Sequence, residues 1–299
     1  MSRNQCLLVG CGYLGTRVAQ LWRERGFQVF ATTRSAARAE ELKRAGFEPI
    51  VLDIAEPIRL GSLPSARFVL FAVGFDRTAR HTQKQVYVEG LRNVLSALPD
   101  QPERFVYVSS TGVYGQSDNS WVDEQSLTEP KREGGRCCLE AERLLMQHPL
   151  GKRSVILRLA GIYGPGRLPF LQKMLEGQPL PVATEGYLNL IHVDDAARIV
   201  DACTADEMSA EMRDLKLLVV SDGRPVIRRH YYDQMARLIG VTAQYETPDA
   251  NAARTRRATG SKRVSNHLMR EKLRISLRHP TYEHGLQAIL ADHLPDRDR

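Results

Sequence analysis

The chain has 299 residues, a net charge of +7 and an ordinary hydrophobic content of 42%. A chain of this length buries a large core, and this composition excludes an intrinsically disordered protein. No apolar run approaches the length that spans a membrane, so no membrane partner is expected. The five cysteines are odd in number and include no CxxC pair, which predicts reduced thiols, a cytoplasmic location and no metal site.

An apolar run near the start of the chain leads directly into a glycine-rich turn. Residues 5–10 have the length of a strand, and a helical pattern follows from Leu14. The residues at this junction match G-x-G-x-x-G: Gly10, Cys11, Gly12, Tyr13, Leu14 and Gly15. In a strand–turn–helix context this pattern is typical of a dinucleotide site, with Gly12 beside the pyrophosphate. We therefore predict cofactor contacts at Gly10 and at residues 12–15.

The second predicted strand indicates which dinucleotide binds. An NAD site usually has an Asp or Glu about twenty residues after the glycines, to bind the ribose 2′-hydroxyl. Here strand 27–32 leads into Thr33, Arg34 and Ser35, with Arg38 one helical turn later. A guanidinium can pair with a 2′-phosphate, and Ser35 can cap the next helix and face the same phosphate. We predict NADP in preference to NAD; the alternative is a solvated arginine at a helix start.

Strands and helices then alternate along the chain. Further strands are predicted at 47–52, 67–73, 104–109 and 153–159, and helices at 14–25, 36–45, 81–97 and 134–147. This alternation predicts an α/β fold, a Rossmann-type doubly wound parallel sheet with ligands at the carboxyl ends of its strands. We expect a nucleotide-binding domain at 1–160 and a smaller, mixed substrate-binding lobe at 161–299, with segments near 189–222 returning to the first domain.

Five motifs occur in a familiar order along the chain. They are GCGYLG at 10–15, RFVYVSSTGVYG at 104–115, VILRLAGIYGPGR at 155–167, NLIHVDDAARIV at 189–200 and VVSDGRPV at 219–226. Together they resemble the short-chain dehydrogenase/reductase superfamily, in its extended and atypical NAD(P)-dependent epimerase/dehydratase group. One departure is Val9, which stands where the extended pattern has a glycine. The motifs are specific for the family, but none is specific for a substrate.

The resemblance implies a role for residues at the strand ends. Asp53 would hydrogen-bond the adenine, Ser109 would lie beside the nicotinamide, and Thr111, with Ser110 as its rival, would polarise the substrate. Further cofactor contacts are implied at Ala72, Val73, Gly74, Ala160, Gly161 and Ile162. Arg158 is interpreted as one member of a buried structural pair, because a buried arginine needs a partner.

The family's proton-transfer pair is missing from the helix at 134–147. The family carries YxxxK there, in which the Lys lowers the pKa of the Tyr and holds the nicotinamide ribose. When the family's following Glu is aligned with Glu140-Ala141-Glu142, the Tyr position falls on Gly134 and the Lys position on Cys138. The family's Asn falls on Tyr87, so the usual tetrad is reduced to the hydroxyl of Thr111.

Two functional classes therefore stay open. The first is an NADP-dependent oxidoreductase or epimerase acting on a small carbonyl or sugar-like substrate, with Tyr114 as the candidate replacement acid. The alternative for Tyr114 is that it only shapes the pocket. The second class is a non-catalytic NADP(H)-binding redox sensor or regulatory protein, which the missing Tyr and Lys favour. The intact loop motifs favour the enzyme, which is our leading interpretation.

Two further features concern partners. Between Arg254 and Arg274, eight basic residues stand against Glu271 alone. This segment is interpreted as a solvated surface or a lobe facing an anionic substrate; nucleic acid is not favoured, because the segment has no aromatic residue to stack on bases. The resemblance also implies a homodimer, formed by helices 81–97 and 134–147. The second helix carries more apolar residues than one core-facing stripe requires: Leu139, Leu144, Leu145 and Met146.

Overall fold

The computed structural model describes residues 4–78, 80–205, 209–246 and 261–291. Its strands are β1 Gln5–Val9, β2 Gln28–Thr33, β3 Glu48–Val51, β4 Phe68–Phe71, β5 Arg104–Ser110, β6 Trp121–Val122, β7 Ser154–Leu159, β8 Gly161–Tyr163, β9 Tyr187–Leu188, β10 Leu190–His192, β11 Leu217–Val220, β12 Val226–Ile227 and β13 Arg263–Val264. Its α-helices are α1 Gly15–Glu24, α2 Ala36–Arg44, α3 Gly90–Ala97, α4 Glu133–Gln147, α5 Leu171–Leu175, α6 Val193–Ala202, α7 Ala210–Asp214, α8 Arg228–Leu238, α9 His267–Leu273 and α10 Tyr282–Leu290.

Seven strands form one parallel sheet in the order β11-β7-β5-β4-β1-β2-β3. The order reverses between β1 and β4, so the sheet is doubly wound and the predicted fold class is confirmed. Every residue of β4 and β7 is buried, as expected of strands covered on both faces. The switch point between β1 and β4 is where such sheets bind ligands, at the carboxyl ends of the strands.

The chain divides into two compact units, each with its own core. Unit 1 comprises Met1–Val113, Thr128–Leu159 and Ala196–Leu218, and unit 2 comprises Tyr114–Leu127, Ala160–Asp195 and Val219–Arg299. In unit 1, residues of β1, β4 and β5 pack with those of α3 and α4 in one apolar cluster. The core of unit 2 is rich in aromatic residues, including Tyr163 and Tyr231. The separate functions expected for residues 1–160 and 161–299 stay predictions.

The helix predicted over 81–97 has an irregular first half. Residues Gln85–Glu89 wind as a π-helix before α3 begins at Gly90. Such wide turns are rare in proteins and recur at functional sites. A Cβ at Gly90 would lie 2.8 Å from the side chain of Ile54, so the helix packs closely there. Tyr87, at the position of the family's Asn, lies inside the π-helical turn.

None of the helices that the structure describes is both long and apolar enough to cross a membrane.

Candidate functional site

The glycine-rich turn between β1 and α1 has one open position. Gly10 has a φ of +95°, and a Cβ there would lie 2.8 Å from the Ala72 carbonyl oxygen. A Cβ at Gly15 would collide with the carbonyl oxygen of Gly10. At Gly12, by contrast, no atom lies within 4 Å of the Cβ position. The packing of unit 1 explains the first and third glycines, while Gly12 leaves the space that a pyrophosphate needs for close approach.

Hydrogen bonds hold this turn against β2 and α2. The Gly10 N–H donates to Thr32 Oγ1 at 3.1 Å, and Thr16 Oγ1 donates to the Gly12 carbonyl at 2.9 Å. Arg38 donates to Thr16 Oγ1 at 3.2 Å and also pairs with Glu41 at 2.5 Å. Arg38 is thus placed beside the turn, with its guanidinium already engaged by two protein groups.

The other residues of the turn are packed against α1. The Arg17 guanidinium lies 4.5 Å from the centre of the Tyr13 ring and donates to the Tyr13 carbonyl at 2.9 Å. The side chain of Leu14 is buried. Tyr13 therefore offers a backbone and a partly covered ring at the helix start, and Leu14 contributes to the core.

At the end of β2, Arg34 forms an ion pair that sequence analysis did not find. Its Nη2 lies 3.0 Å from Asp76 Oδ2, and both side chains are more than two-fifths exposed. The hydroxyl and amide of Thr78 and then Arg34 hold the pKa of Asp76 below its ordinary value. Ser35 accepts from the Arg38 N–H and so caps α2 as predicted. Thr33 accepts from the Ser35 N–H.

Asp53 and the segment after β4 lie at the same edge of the sheet. Asp53 Oδ2 is 2.9 Å from Nε2 of the buried His81, and its Oδ1 accepts from the Ala55 N–H at 3.1 Å. The Ala72 N–H donates to Val9, so the chain leaves β4 close beside the glycine turn, while Val73 packs against the apolar core. Gly74, like Gly12, has no atom within 4 Å of its Cβ position. A second open position therefore follows β4.

Three consecutive hydroxyls at the end of β5 have different environments. Ser109 is buried and donates to Glu142 Oε1 at 2.5 Å. Ser110 Oγ accepts from the Gly112 N–H at 3.0 Å. Thr111 is buried and begins a short 3₁₀ helix that ends at Val113. The structure therefore commits Ser109 to the protein interior and Ser110 to the local turn.

The comparison with known families decides the identity of this fold. The sequence profile of the NAD dependent epimerase/dehydratase family matches residues 6–214, more than half of the chain. The chain belongs to this family. The resemblance stated from the motifs is thereby confirmed.

Individual relatives agree with this assignment. Protein YeeZ of Escherichia coli K12 is 27% identical over 240 residues, covering 78% of this chain and 83% of YeeZ. The 4-hydroxy-2-methyl-3-oxo-4-farnesyl-3,4-dihydroquinoline-1-oxide ketoreductase of Stigmatella aurantiaca is 25% identical over 259 residues, covering 82% and 76%. The solved structure of a Methylobacillus flagellatus protein, provisionally named an NAD-dependent epimerase/dehydratase, is 29% identical with a TM-score of 0.76, covering 97% and 99%.

At position 134 of α4, where the family has its Tyr, this chain has a glycine beside Gln83. A Cβ at Gly134 would lie 3.3 Å from Gln83 Oε1, so a neutral carboxamide lies over this position. The next residue, Gly135, has no such room, because a Cβ there would collide with the carbonyl oxygen of Gly112. Sequence analysis missed Gln83, since nothing in its local pattern points to α4.

The family's Lys position holds a buried thiol. The pKa of Cys138 is raised to about 12, chiefly by burial and also by the nearby Glu142 carboxylate, while a hydrogen bond with Ser109 lowers it. Burial and the neighbouring thiol of Cys138 also raise the pKa of Tyr87. Both groups therefore stay protonated at neutral pH, and neither supplies the positive charge that a Lys would bring.

A buried ion pair fixes α4 against β7. Arg158 Nη2 lies 2.7 Å from Glu142 Oε2, and its Nε donates to Glu142 Oε1 at 3.0 Å. Both side chains are less than a tenth exposed. Because Ser109 donates to the same carboxylate, three buried polar groups satisfy one another. The predicted structural role of Arg158 is confirmed.

Other predicted site residues lie in unit 2. Tyr114 is buried, and its hydroxyl donates to the Asp123 carbonyl at 2.7 Å, which commits the hydroxyl proton. The Ala160 N–H donates to Val220, the Gly161 N–H donates to the Asn189 carbonyl, and Ile162 lies in β8. Their contact with a nicotinamide stays a prediction.

The structure describes the basic segment only from residue 261 onward. Its first arginines lie outside the described residues: Arg254, Arg256 and Arg257. The Arg263 guanidinium lies 5.0 Å from the centre of the Trp121 ring and 5.6 Å from that of Tyr187. Both rings belong to other segments of unit 2, and that nucleic acid is not a partner stays a prediction.

Asp222, buried in unit 2, gives the protein a predictable pH dependence. Its pKa is raised to about 7, chiefly by burial; the charges of Glu283 and Asp195 also raise it, while the amide and charge of Arg224 lower it. The pKa of Asp222 is higher in the folded than in the unfolded protein. The stabilisation associated with its protonated carboxyl group is therefore complete below about pH 4. It is lost as the pH rises to about 7.

We expect Asp222→Asn to flatten the stability profile between about pH 4 and 7. At pH 8 it should raise the free energy of unfolding by on the order of 1–4 kcal/mol, since each pKa unit corresponds to about 1.4 kcal/mol. Urea denaturation at four pH values measures this. An unchanged slope in the variant would show that Asp222 is not the titrating group.

Proposed function

We propose that this protein is an NADP(H)-dependent oxidoreductase or epimerase that acts on a small carbonyl or sugar-like compound. The observation that carries the proposal is the open position at Gly12, at the start of α1 and beside a β2 end that carries Arg34 and no acid. The ketoreductase among its relatives supports this class of reaction. When bound, the dinucleotide supplies or accepts a hydride.

The residues at this edge suit a hydrogen-bonding role toward the substrate. The N-terminus of α1 would face the pyrophosphate, and the open Gly74 would lie beneath the adenosine. Thr111 and Gln83 carry neutral hydrogen-bond donors, and the raised pKa values of Cys138 and Tyr87 keep both groups protonated. We infer that the site polarises a carbonyl oxygen through neutral donors instead of removing a proton with a tuned Tyr. Incubation of NADPH and protein with a panel of carbonyl and nucleotide-sugar compounds tests this directly.

Arg34 is proposed to bind the 2′-phosphate. An exposed ion pair such as Arg34–Asp76 is worth about 0.2–1 kcal/mol, whereas a charge-assisted contact to phosphate is worth roughly 1.5–3 kcal/mol. The phosphate should therefore displace Asp76. We expect Arg34→Ala to weaken NADPH binding by about one to two decades and to leave NADH binding nearly unchanged.

Calorimetric titration of both cofactors measures this, with Asp76→Asn as the matched control. That variant frees the guanidinium and removes a negative charge, so NADPH should bind it at least as tightly as it binds the wild type. Equal weakening of both cofactors by Arg34→Ala, or a wild type that prefers NADH, would contradict the assignment.

The second candidate is an NADP(H)-binding sensor without turnover. Gly134 and the neutral thiol of Cys138 at the family's proton-transfer positions favour it. The substrate panel separates the two: tight NADPH binding with no oxidation by any compound, together with a cofactor-dependent partner interaction, would replace the enzyme by the sensor.

We also propose a homodimer through α3 and α4. The structure corrects part of the expectation from the apolar residues of α4, because Leu139 and Leu145 are buried in the core of unit 1 and are not available to a partner. Met146 is 40% exposed, and the part-exposed Leu144 lines a groove on this surface. Light scattering at tens of micromolar protein should give a dimer mass, and Leu144→Glu should give a monomer. A monomeric wild type would rule out this assembly.

A further inference from the structure

Two imidazoles and a carboxylate converge in unit 2. His192, Asp194 and His279 each offer one metal-ligating atom, and these atoms all lie within 4.8 Å of one another. His192 Nδ1 is 3.7 Å from Asp194 Oδ2. The ring centres of the two histidines are 3.8 Å apart, and their planes are tilted by 38°. Distant parts of the sequence thus bring three donors to one point.

Each of the three donors is held by ordered backbone. His192 ends β10, which pairs in parallel with β8, and its ring meets the edge of Tyr163 at 5.3 Å. Asp194 lies in the first turn of α6. The fully buried carboxylate of Asp195 accepts the backbone N–H of Arg278 at 2.7 Å and that of His279 at 2.8 Å. Asp195 therefore anchors the backbone at His279 next to the other two donors.

The cluster is partly open to solvent, because Asp194 and His279 are both part-exposed. The His192 side chain is 2% exposed, whereas that of Asp194 is 42% exposed. An ion could enter past Asp194, and solvent could complete its coordination. The buried carboxylate of Asp195 adds negative charge beside the cluster, which favours a cation there.

We propose that His192, Asp194 and His279 form a binding site for a divalent transition-metal ion, with Zn²⁺ as the best match. Two imidazoles and one carboxylate are a donor set that zinc accepts, with water in the fourth position. At metal–ligand bonds of about 2.0–2.2 Å, tetrahedral ligand atoms lie roughly 3.3–3.5 Å apart. The most distant donors need to approach one another by up to about 1.5 Å, and the His279 ring has to turn out of its stack on His192. Both movements are within the reach of the part-exposed Asp194 and His279 side chains.

Such an ion would tie together two regions of unit 2. It would link the end of β10 and the start of α6 to the segment that precedes α10. Its effect is therefore expected on stability, independently of any turnover. The cysteine pattern predicted no metal site in this chain. His192 and His279 are far apart in the sequence, and only the fold brings them together.

Metal titration of the full chain, stripped with a chelator and then dialysed, tests the proposal. We expect one equivalent of Zn²⁺ per chain and a thermal midpoint that rises by several degrees. Co²⁺ should give the intense visible bands of a tetrahedral centre in place of the weak bands of the hydrated ion. No stoichiometric binding, or only the hydrated spectrum, would overturn the proposal.

Three variants locate the site. His279→Phe keeps a ring against His192 but removes a donor, and should weaken Zn²⁺ binding by about 100-fold or more. His230→Ala removes an exposed histidine outside the cluster and should bind like the wild type. Binding that survives His279→Phe, or that falls equally in His230→Ala, would mean surface capture and would refute the site. If His279→Phe fails to fold, Asp194→Asn takes its place, and a tetrahedral Co²⁺ spectrum that persists in that variant would refute the site equally.

Discussion

Replacing Thr111 by Val should lower turnover of a confirmed substrate by about two to three decades, the range seen when one donor to a developing oxyanion is removed. Val keeps the shape of the buried side chain at the start of the 3₁₀ helix, so the fold and NADPH affinity should change little. The hydroxyl matters because Gly134 and Cys138 offer no alternative at the family's usual positions. Steady-state kinetics with a substrate from the carbonyl panel measure the effect.

Gly134→Ala and Gly135→Ala are the matched controls. At Gly134 the new methyl group meets only the flexible tip of Gln83, and no proton-transferring group is lost, so turnover should stay within a few-fold. At Gly135 the methyl group collides with the Gly112 backbone beside Thr111, so this variant should lose activity together with stability. Full activity in Thr111→Val would mean that the site is assigned to the wrong hydroxyl.

Glu142→Ala should lower the free energy of unfolding by about 3–5 kcal/mol, the cost typical of removing one partner from a buried ion pair. The change leaves the Arg158 guanidinium without its bidentate partner in the core of unit 1. It also removes the acceptor of the buried Ser109 hydroxyl. Urea denaturation at pH 7 gives the value.

The double variant Glu142→Leu/Arg158→Met separates the cost of leaving one buried charge unpaired from the net contribution of the ion pair to stability. With both charges gone, the core should be close to wild-type stability or up to roughly 4 kcal/mol more stable. Ser109→Ala, which loses one hydroxyl only, should cost roughly 1 kcal/mol. A loss below 1 kcal/mol in Glu142→Ala would show that water reaches Arg158 and that the pair is not an effective part of the core.

The fold could be predicted because its signals are local. Apolar runs such as 104–109 fall within a residue of the observed strands, since a strand covered on both faces must be apolar nearly throughout. The glycine turn could be predicted from its own spacing; in the structure Gly15 packs against Gly10 and Leu8 of the same turn, whereas Gly10 packs against Ala72 and Val73 after β4. The short strand β11 was not predicted, because its last two residues, Val219 and Val220, begin a motif that sequence analysis interpreted only as a family signature.

The parts of the site that were not predicted from the sequence depend on contacts between distant segments. Asp76 approaches Arg34 only because the segments after β2 and β4 end at the same edge of the sheet. Gln83 and Gly134, which lies in the first turn of α4, are also distant in the sequence and are brought together only by the fold. Cofactor preference is usually predicted from the residues after β2 alone. An ion-pair partner that follows β4 does not enter that prediction. The residues after β2 therefore predicted Arg34 as a ligand of the 2′-phosphate and did not predict its ion pair with Asp76.

We expect unit 1 to bind an NADP-type dinucleotide at the open position of its glycine turn. Calorimetric titration of wild type and Gly12→Ala with NADPH and NADH tests it most directly, because a methyl group at residue 12 meets no protein atom within 4 Å and should leave the thermal midpoint unchanged. We expect the wild type to bind NADPH about one to two decades more tightly than NADH, and Gly12→Ala to lose most of its affinity for both. A wild type that binds neither cofactor, or a Gly12→Ala variant that binds both as the wild type does, would contradict the account.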